Sequence, residues 1–212
     1  MTPDREPLIS LILYRLLKWI VFVPMLRLYC RGRVYGRENV PKRGRVIVVA
    51  NHASDFDPPF VAISVHRPVA FMAKQELFSI PLLGPGIRLY GAYPVNRESP
   101  DRSAIRSAIE QINTGWAIGL FIQGTRTPDG RIPSPKLGAA MIAAKTQTPL
   151  LPVSIWGTHE MSPKGAKFPR PVPVTIRIGE LISPPTSTKR EELEAVTQQC
   201  VDTIHAMHDL KR

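Results

Sequence analysis

Residues 45–59 read RVIVVANHASDFDPP. The run from Val46 to Ala50 is wholly apolar and mostly β-branched, has the length of a strand and is too short for a helix. Beyond it come Asn51 and His52, and then Asp57-Pro58, an acid suited to capping a helix followed by a proline suited to the first helical position. A buried strand that leads through a short turn into a helix is the repeating unit of an α/β fold.

Outward from this stretch the same alternation recurs. Apolar runs of strand length lie at 45–50, 68–73, 117–122, 150–156 and 172–178, and YGAYPV supplies a further strand-like run. Helical spacing lies between several of them. Ile105, Ala108, Ile109 and Ile112 share one face, as do Leu193, Val196, Cys200, Ile204 and Met207 in the tail. Ser99-Pro100 and Ser134-Pro135 repeat the capping signal of Asp57-Pro58. The expectation is one α/β domain with a mixed, largely parallel sheet covered by helices. A chain of 212 residues buries about 70% of its unfolded surface, so a full core is available. There is no internal repeat or low-complexity segment. The 22 prolines punctuate loops, and the cluster from Pro163 to Pro173 reads as a surface excursion.

The formal net charge of +11 points to an anionic partner, whether nucleic acid, membrane or a phosphorylated substrate. Its distribution narrows the choice. Residues 1–45 hold ten Lys or Arg against three acids, and they include LISLILYRLLKWIVFVPMLRLY. Arg15, Lys18 and Arg27 interrupt this apolar stretch and Pro24 breaks it, whereas a spanning helix needs roughly 20 predominantly apolar residues. The reading is a helical arm over residues 1–34 that lies in the interface or dips into one leaflet, with its Arg and Lys snorkelling to anionic headgroups and Tyr14, Trp19 and Tyr29 at polar depth; the plainer alternative is a first helix packed on the domain. The α/β domain would occupy residues 35–212. Basic residues run through and past the apolar stretch with no small-residue cleavage site behind it, which argues against a signal peptide. Cys30 and Cys200, the two cysteines, make neither a disulfide framework nor a metal site. The five histidines lack ligand spacing. No basic stripe is interleaved with stacking aromatics, so nucleic acid is not the expected partner.

His52 falls at the carboxyl end of a strand, where open α/β sheets place ligands. On a continuous helix residues five apart stand about 140° apart, so His52 and Asp57 meet only if the chain turns between them. Asp57 is then able to cap the helix with one oxygen and take the imidazole N–H with the other, and Asp55 competes for the same role. No separate protein nucleophile is evident: Val34 and Ala117 stand where GRVYG and GWAIG would need a serine. A base at His52 would therefore act on a substrate hydroxyl or on water. FIQGTRTPDG, after the run at 117–122, resembles an anion cradle in which Gly124 permits a turn, Thr125 offers a hydroxyl and Arg126 a planar fork. It lacks the Gly-Lys-Ser/Thr ending of a nucleotide triphosphate loop. Lys74 and Arg97 follow two other strand runs.

In these motifs the chain resembles the glycerolipid acyltransferases, specifically 1-acylglycerol-3-phosphate acyltransferases, over roughly residues 35–156. His52 and Asp57 match the family's His-x-x-x-x-Asp block, GAYPVNR its second block with Arg97 at the arginine, FIQGTR its third and LLPV its fourth around Pro152. Gln123 stands where that family carries glutamate, and Ile122 replaces the preceding proline. The resemblance implies transfer of a fatty acyl group from acyl-carrier protein or acyl-CoA to the sn-2 hydroxyl of lysophosphatidic acid, without metal or cofactor, at the cytoplasmic face of a membrane. His52 and Asp57 would be catalytic, and Lys74, Arg97, Gln123, Gly124, Thr125 and Arg126 would bind substrate. Two rival readings are an acyltransferase for glycerol 3-phosphate or another lysophospholipid, and a non-catalytic basic protein of the membrane surface. A His-Asp thioesterase is a third.

Overall fold

A computed structural model describes residues 12, 15–16, 18–81, 83–89, 91–95, 101–161 and 169–212. Seven strands form one sheet: β1 Arg33–Tyr35, β2 Ile47–Ala50, β3 Val69–Lys74, β4 Tyr93–Val95, β5 Ala117–Phe121, β6 Leu150–Trp156 and β7 Thr175–Ile178. Their order is β1-β7-β6-β2-β5-β3-β4, and every neighbouring pair is parallel except β6 and β7. The helices are α1 Asp57–Ser64, α2 Leu83–Leu89, α3 Asp101–Asn113, α4 Gly138–Thr146 and α5 Arg190–Asp209. This is the expected mixed, largely parallel sheet covered by helices.

Period-two alternation along β2 feeds two cores, because successive side chains leave a strand on opposite faces. Val46, Val48 and Ala50 pack with Phe60, Val61, Ala62 and Ile63 of α1. Ile47 and Val49 face the other way, into a cluster with Ala108 and Ile112 of α3, Ile142 of α4 and Cys200 and Ile204 of α5. The sheet is thus covered on both sides, as its uninterrupted apolar runs require. All the strands that carry site residues point their carboxyl ends the same way, with Ala50 level with Phe121 and Val153.

Three expectations change. Ser134-Pro135 does not open a helix: α4 begins at Gly138 after Leu137, and Lys136 is instead tied by its N–H to Ile122 O at 2.7 Å. Asp57 is the first residue of α1 rather than its cap, and its carboxylate turns back toward the preceding loop. Lys18 does not snorkel, because it is 6% exposed and its ammonium lies 3.3 Å from His66 Nδ1. Burial lowers the Lys18 pKa, helped by Arg37 and Arg15.

The segment before β1 winds as π turns over Lys18–Phe22 and Met25–Tyr29 on either side of Pro24. It is fastened to the domain: Leu26 and Cys30 belong to the α1-side core, and Cys30 O accepts from Val174 N at 3.1 Å. The division expected between residues 34 and 35 therefore falls inside β1. Ile12, Leu16, Trp19, Ile20 and Leu28 remain more than half exposed. Among the described residues no helix is long and apolar enough to cross a membrane. Tyr14 lies outside the described residues, as does part of the proline cluster that begins at Pro163.

Candidate functional site

The turn between β2 and α1 folds His52 onto Asp57. His52 Nδ1 lies 2.9 Å from Asp57 Oδ2, and the same oxygen accepts Ala53 N–H and Ser54 N–H, each at 2.7 Å. Asp57 is wholly buried, so these three donors are what offsets its desolvation. Its Oδ1 has no partner among the described residues. Because a carboxylate accepts only, the imidazole must carry its proton on Nδ1, which leaves Nε2 as the basic nitrogen. The ring is held from the side as well: it stacks on Phe121 at the end of β5 with centroids 3.9 Å apart and planes 12° apart. The His52 side chain keeps 12% of its surface open.

Asp55, the competing acid, is 77% exposed and pairs instead with Arg126. Both members of that pair are accessible, so its net stabilisation is about 0–1 kcal/mol and the guanidinium is easily recruited by another anion. Asp57 and not Asp55 is thus the partner of His52.

The FIQGTR stretch lies beside His52 because β5 and β2 are neighbours. Gly124 closes the turn with its N–H on Phe121 O at 2.9 Å and a φ of 74°, a conformation that favours glycine. Thr125 and Arg126 project to the surface. Gln123 does not: it is 4% exposed, and its Nε2 donates to His52 O at 3.0 Å and to Thr127 Oγ1 at 3.3 Å. Thr127 N–H reaches the same His52 carbonyl at 2.9 Å. His52 is therefore gripped through its backbone by one loop and through its ring by an acid and an aromatic face. Gln123 Oε1 is buried with no partner among the described residues. Lys74 ends β3 exposed, level with Val95 of β4. Arg97 lies outside the described residues.

Three positioning residues escape the sequence reading. Asn51 is wholly buried and acts as a clamp: its Nδ2 donates to Ile155 O and Gly130 O at 2.9 Å each, and its Oδ1 accepts Ile155 N–H at 2.8 Å. Its amide extends the β2–β6 ladder by one residue and ties both to the far end of the FIQGTR loop. Gly130 there has φ 73°, and a Cβ would meet Asn51 Nδ2 at 3.0 Å and His208 Nε2 at 3.1 Å. Phe121 and Thr127 are the other two. Asn51 had a visible signal, an amide at the end of a buried strand, while the partners of Phe121 and Thr127 are set by strand order. Ile132 N–H donates to His205 Nε2 at 3.1 Å, and Arg131 pairs with Asp209, so α5 braces the same loop from outside. Burial lowers the pKa of the neighbouring His208, and Arg131 adds to the shift.

No group of three or more His, Cys, Asp or Glu side chains among the described residues is arranged to hold a metal. What the site offers is a basic nitrogen fixed by a buried acid at the mouth of a sheet, beside an accessible guanidinium.

The chain is 33% identical over 151 residues to the 1-acyl-sn-glycerol-3-phosphate acyltransferase of Borreliella burgdorferi, covering 70% of this chain and 60% of that protein. It is 32% identical over 137 residues to the chloroplastic 1-acyl-sn-glycerol-3-phosphate acyltransferase BAT2 of Brassica napus, covering 63% of this chain and 40% of that one. It thus spans between 40% and 60% of the length of these two relatives. Among solved structures it is similar to the 1-acyl-sn-glycerophosphate (LPA) acyltransferase PlsC of Thermotoga maritima, with a TM-score of 0.78 and 34% identity over 93% of this chain and 80% of that one. The family model described as Acyltransferase matches residues 31–156, which include every strand end that builds the site. The chain belongs to the acyltransferase family.

Proposed function

We propose that this protein transfers a fatty acyl group from an acyl thioester, carried by acyl-carrier protein or coenzyme A, to the sn-2 hydroxyl of 1-acylglycerol 3-phosphate, making phosphatidic acid. The observation that carries the reading is the hydrogen bond of His52 Nδ1 to the buried Asp57, which leaves Nε2 free to accept a proton. As the hydroxyl oxygen bonds to the acyl carbon, His52 Nε2 takes its proton; as the carbon–sulfur bond breaks, that proton passes to the departing thiolate. Asp57 holds the tautomer and stabilises the imidazolium, and general-base assistance of this kind contributes roughly 10² to 10⁴ in rate.

Arg126 leaves its pairing with exposed Asp55 to take the acceptor phosphate, and Arg97 and Lys74 assist it. Thr125 and the turn at Gly124 border the same face. Gln123 acts from beneath by fixing the His52 carbonyl. Both lysolipid and product belong to a bilayer, and extracting acyl chains into water costs about 0.8 kcal/mol per CH₂. The arm's exposed row of Ile12, Leu16, Trp19, Ile20 and Leu28 supports a site held at headgroup depth, and the net charge of +11 suits the anionic cytoplasmic face of a membrane.

The test is incubation of the detergent-solubilised chain with labelled acyl-carrier protein or acyl-CoA thioesters and a panel of acceptors. Label in phosphatidic acid is expected. Label in free fatty acid alone would make the protein a thioesterase, and label in acylated glycerol 3-phosphate would move the acceptor assignment.

A further inference from the structure

The cleft where the arm meets the domain crowds four basic groups. Lys18, Arg27, Arg37 and His66 line one cavity of about 180 Å³ together with Trp19 and Ile63. Lys18 is 6% exposed and touches His66 at 3.3 Å. Arg37 Nε is buried with no partner among the described residues. No carboxylate among the described residues pairs with Arg27, Arg37 or His66. The crowding is electrostatically felt: burial lowers the pKa of His66, and Lys18, Arg37 and Arg27 each lower it further. Burial likewise lowers that of Arg37, with Arg27 adding to it.

His66 is itself placed at a conformational cost. It follows the carboxyl end of α1 at φ 54°, the left-handed position where glycine is favoured. Like charges gathered out of water repel, and an anion seated between them offsets that repulsion. A cavity below the roughly 300 Å³ of ordinary ligand pockets takes a phosphate group rather than lipid chains. Trp19, which lines it, is 61% exposed and continues into exposed Ile20 and Val21, an apolar ledge for chains that stay in the membrane. The cavity meets α1 at its last turn, whereas Asp57 begins the helix, whose eight residues span about 12 Å.

We propose that this cleft is a second phosphate-binding site, which takes the head of an anionic lipid between the arm and the end of α1. Lys18, Arg27, Arg37 and His66 hold the phosphate, and the ledge beside Trp19 receives the chains. The site is separate from that of His52 and does not depend on the transfer reaction.

The experiment uses the full chain carrying Arg126→Ala, so that phosphate recognition near His52 is weakened, in micelles of a neutral detergent. Thermal midpoints are followed while an ether-linked dialkyl phosphatidic acid, the matching dialkylglycerol, or inorganic phosphate is added. The lipid phosphate is expected to raise the midpoint and the dialkylglycerol to leave it unchanged. Arg37→Gln is expected to weaken the apparent affinity roughly tenfold or more, the usual loss for a charge-assisted hydrogen bond, and Lys18→Met to do the same. Without lipid, Arg37→Gln should melt at the native midpoint or above it, because one repelling charge is gone. Undiminished lipid binding by Arg37→Gln overturns the proposal. So does a fall in its midpoint without lipid, which would assign the cation to the terminal carbonyls of α1. A full shift from inorganic phosphate alone overturns the lipid as ligand.

Discussion

Replacing Gln123 by glutamate tests how His52 is held. In the native chain the amide nitrogen, not the oxygen, faces the His52 carbonyl at 3.0 Å, in a place that is 4% exposed. An ionised glutamate has no donor and would set an oxygen against that carbonyl. The variant restores the contact only by holding a proton, which raises the folded-state pKa above the unfolded value of about 4.3. Keeping the acid neutral costs about 1.36 kcal/mol per pH unit above that value, hence about 3.7 kcal/mol at pH 7 and about 1 kcal/mol at pH 5. With the folded pKa raised, stability is retained below the unfolded pKa and lost as pH rises toward the folded one. Gln123→Glu should therefore unfold at markedly lower urea than the native chain at pH 7 and lose only about 1 kcal/mol at pH 5. Gln123→Met, which removes the donor without adding charge, should lose about 1 kcal/mol at both pH values. Circular dichroism across a urea series gives both midpoints. A Glu variant as stable as the native chain at pH 7, or one equally weakened at both pH values, refutes the donor role of the amide.

His52→Ala is expected to lower acyl transfer at least about 10²-fold while the far-ultraviolet dichroism stays native; near-normal turnover would remove His52 from the chemistry. Asp57→Asn should impair transfer and cost roughly 1.5–3 kcal/mol, because its Oδ2 accepts three N–H donors in a buried site, whereas Asp55→Asn should change stability by less than about 1 kcal/mol. The reverse order in a paired urea and activity measurement would exchange the two acids. Arg126→Lys and Arg126→Ala should raise KM for lysophosphatidic acid and leave the poor turnover of monoacylglycerol nearly unchanged; equal proportional losses would give Arg126 another task. His208 has its pKa lowered from 6.5 by burial, so the stability it contributes is present above that value and lost as pH falls toward the folded one. His208→Gln should flatten the decline of the thermal midpoint below pH 6.5, and an unchanged decline would point to another group.

The strands most legible in the sequence are those buried on both faces, because an apolar run of four to seven residues has few other uses. β1 is not legible: Arg33–Tyr35 is three residues long, carries charge and owes its pairing to β7 across the chain. The capping signal at Ser134-Pro135 misled because the segment there serves the site, with Lys136 N–H bonded to Ile122 O. At the site, the meeting of His52 with Asp57 was legible from a spacing that only a turn can close. Which acid would win was not, since Asp55 and Asp57 differ only in burial. The task of Gln123 was likewise hidden, because a sequence names an amide without saying which end of it faces inward. Asn51 shows the same limit, its partners Gly130 and Ile155 being 79 and 104 residues away.

The insertion of β5 between β2 and β3 has a bearing on biosynthesis. The crossover through α1 delivers β2 and β3 early, yet the finished sheet leaves the width of a whole strand between them. Until residues 117–121 leave the ribosome, both strands present unpaired edges, and Phe121 is not there to stack on His52. Such edges invite pairing with other chains, and synthesis at about 5–20 residues per second keeps them open for several seconds. The half-made chain is therefore the aggregation-prone form of this protein, and the interval between the emergence of β3 and that of β5 is one in which a nascent-chain chaperone can act.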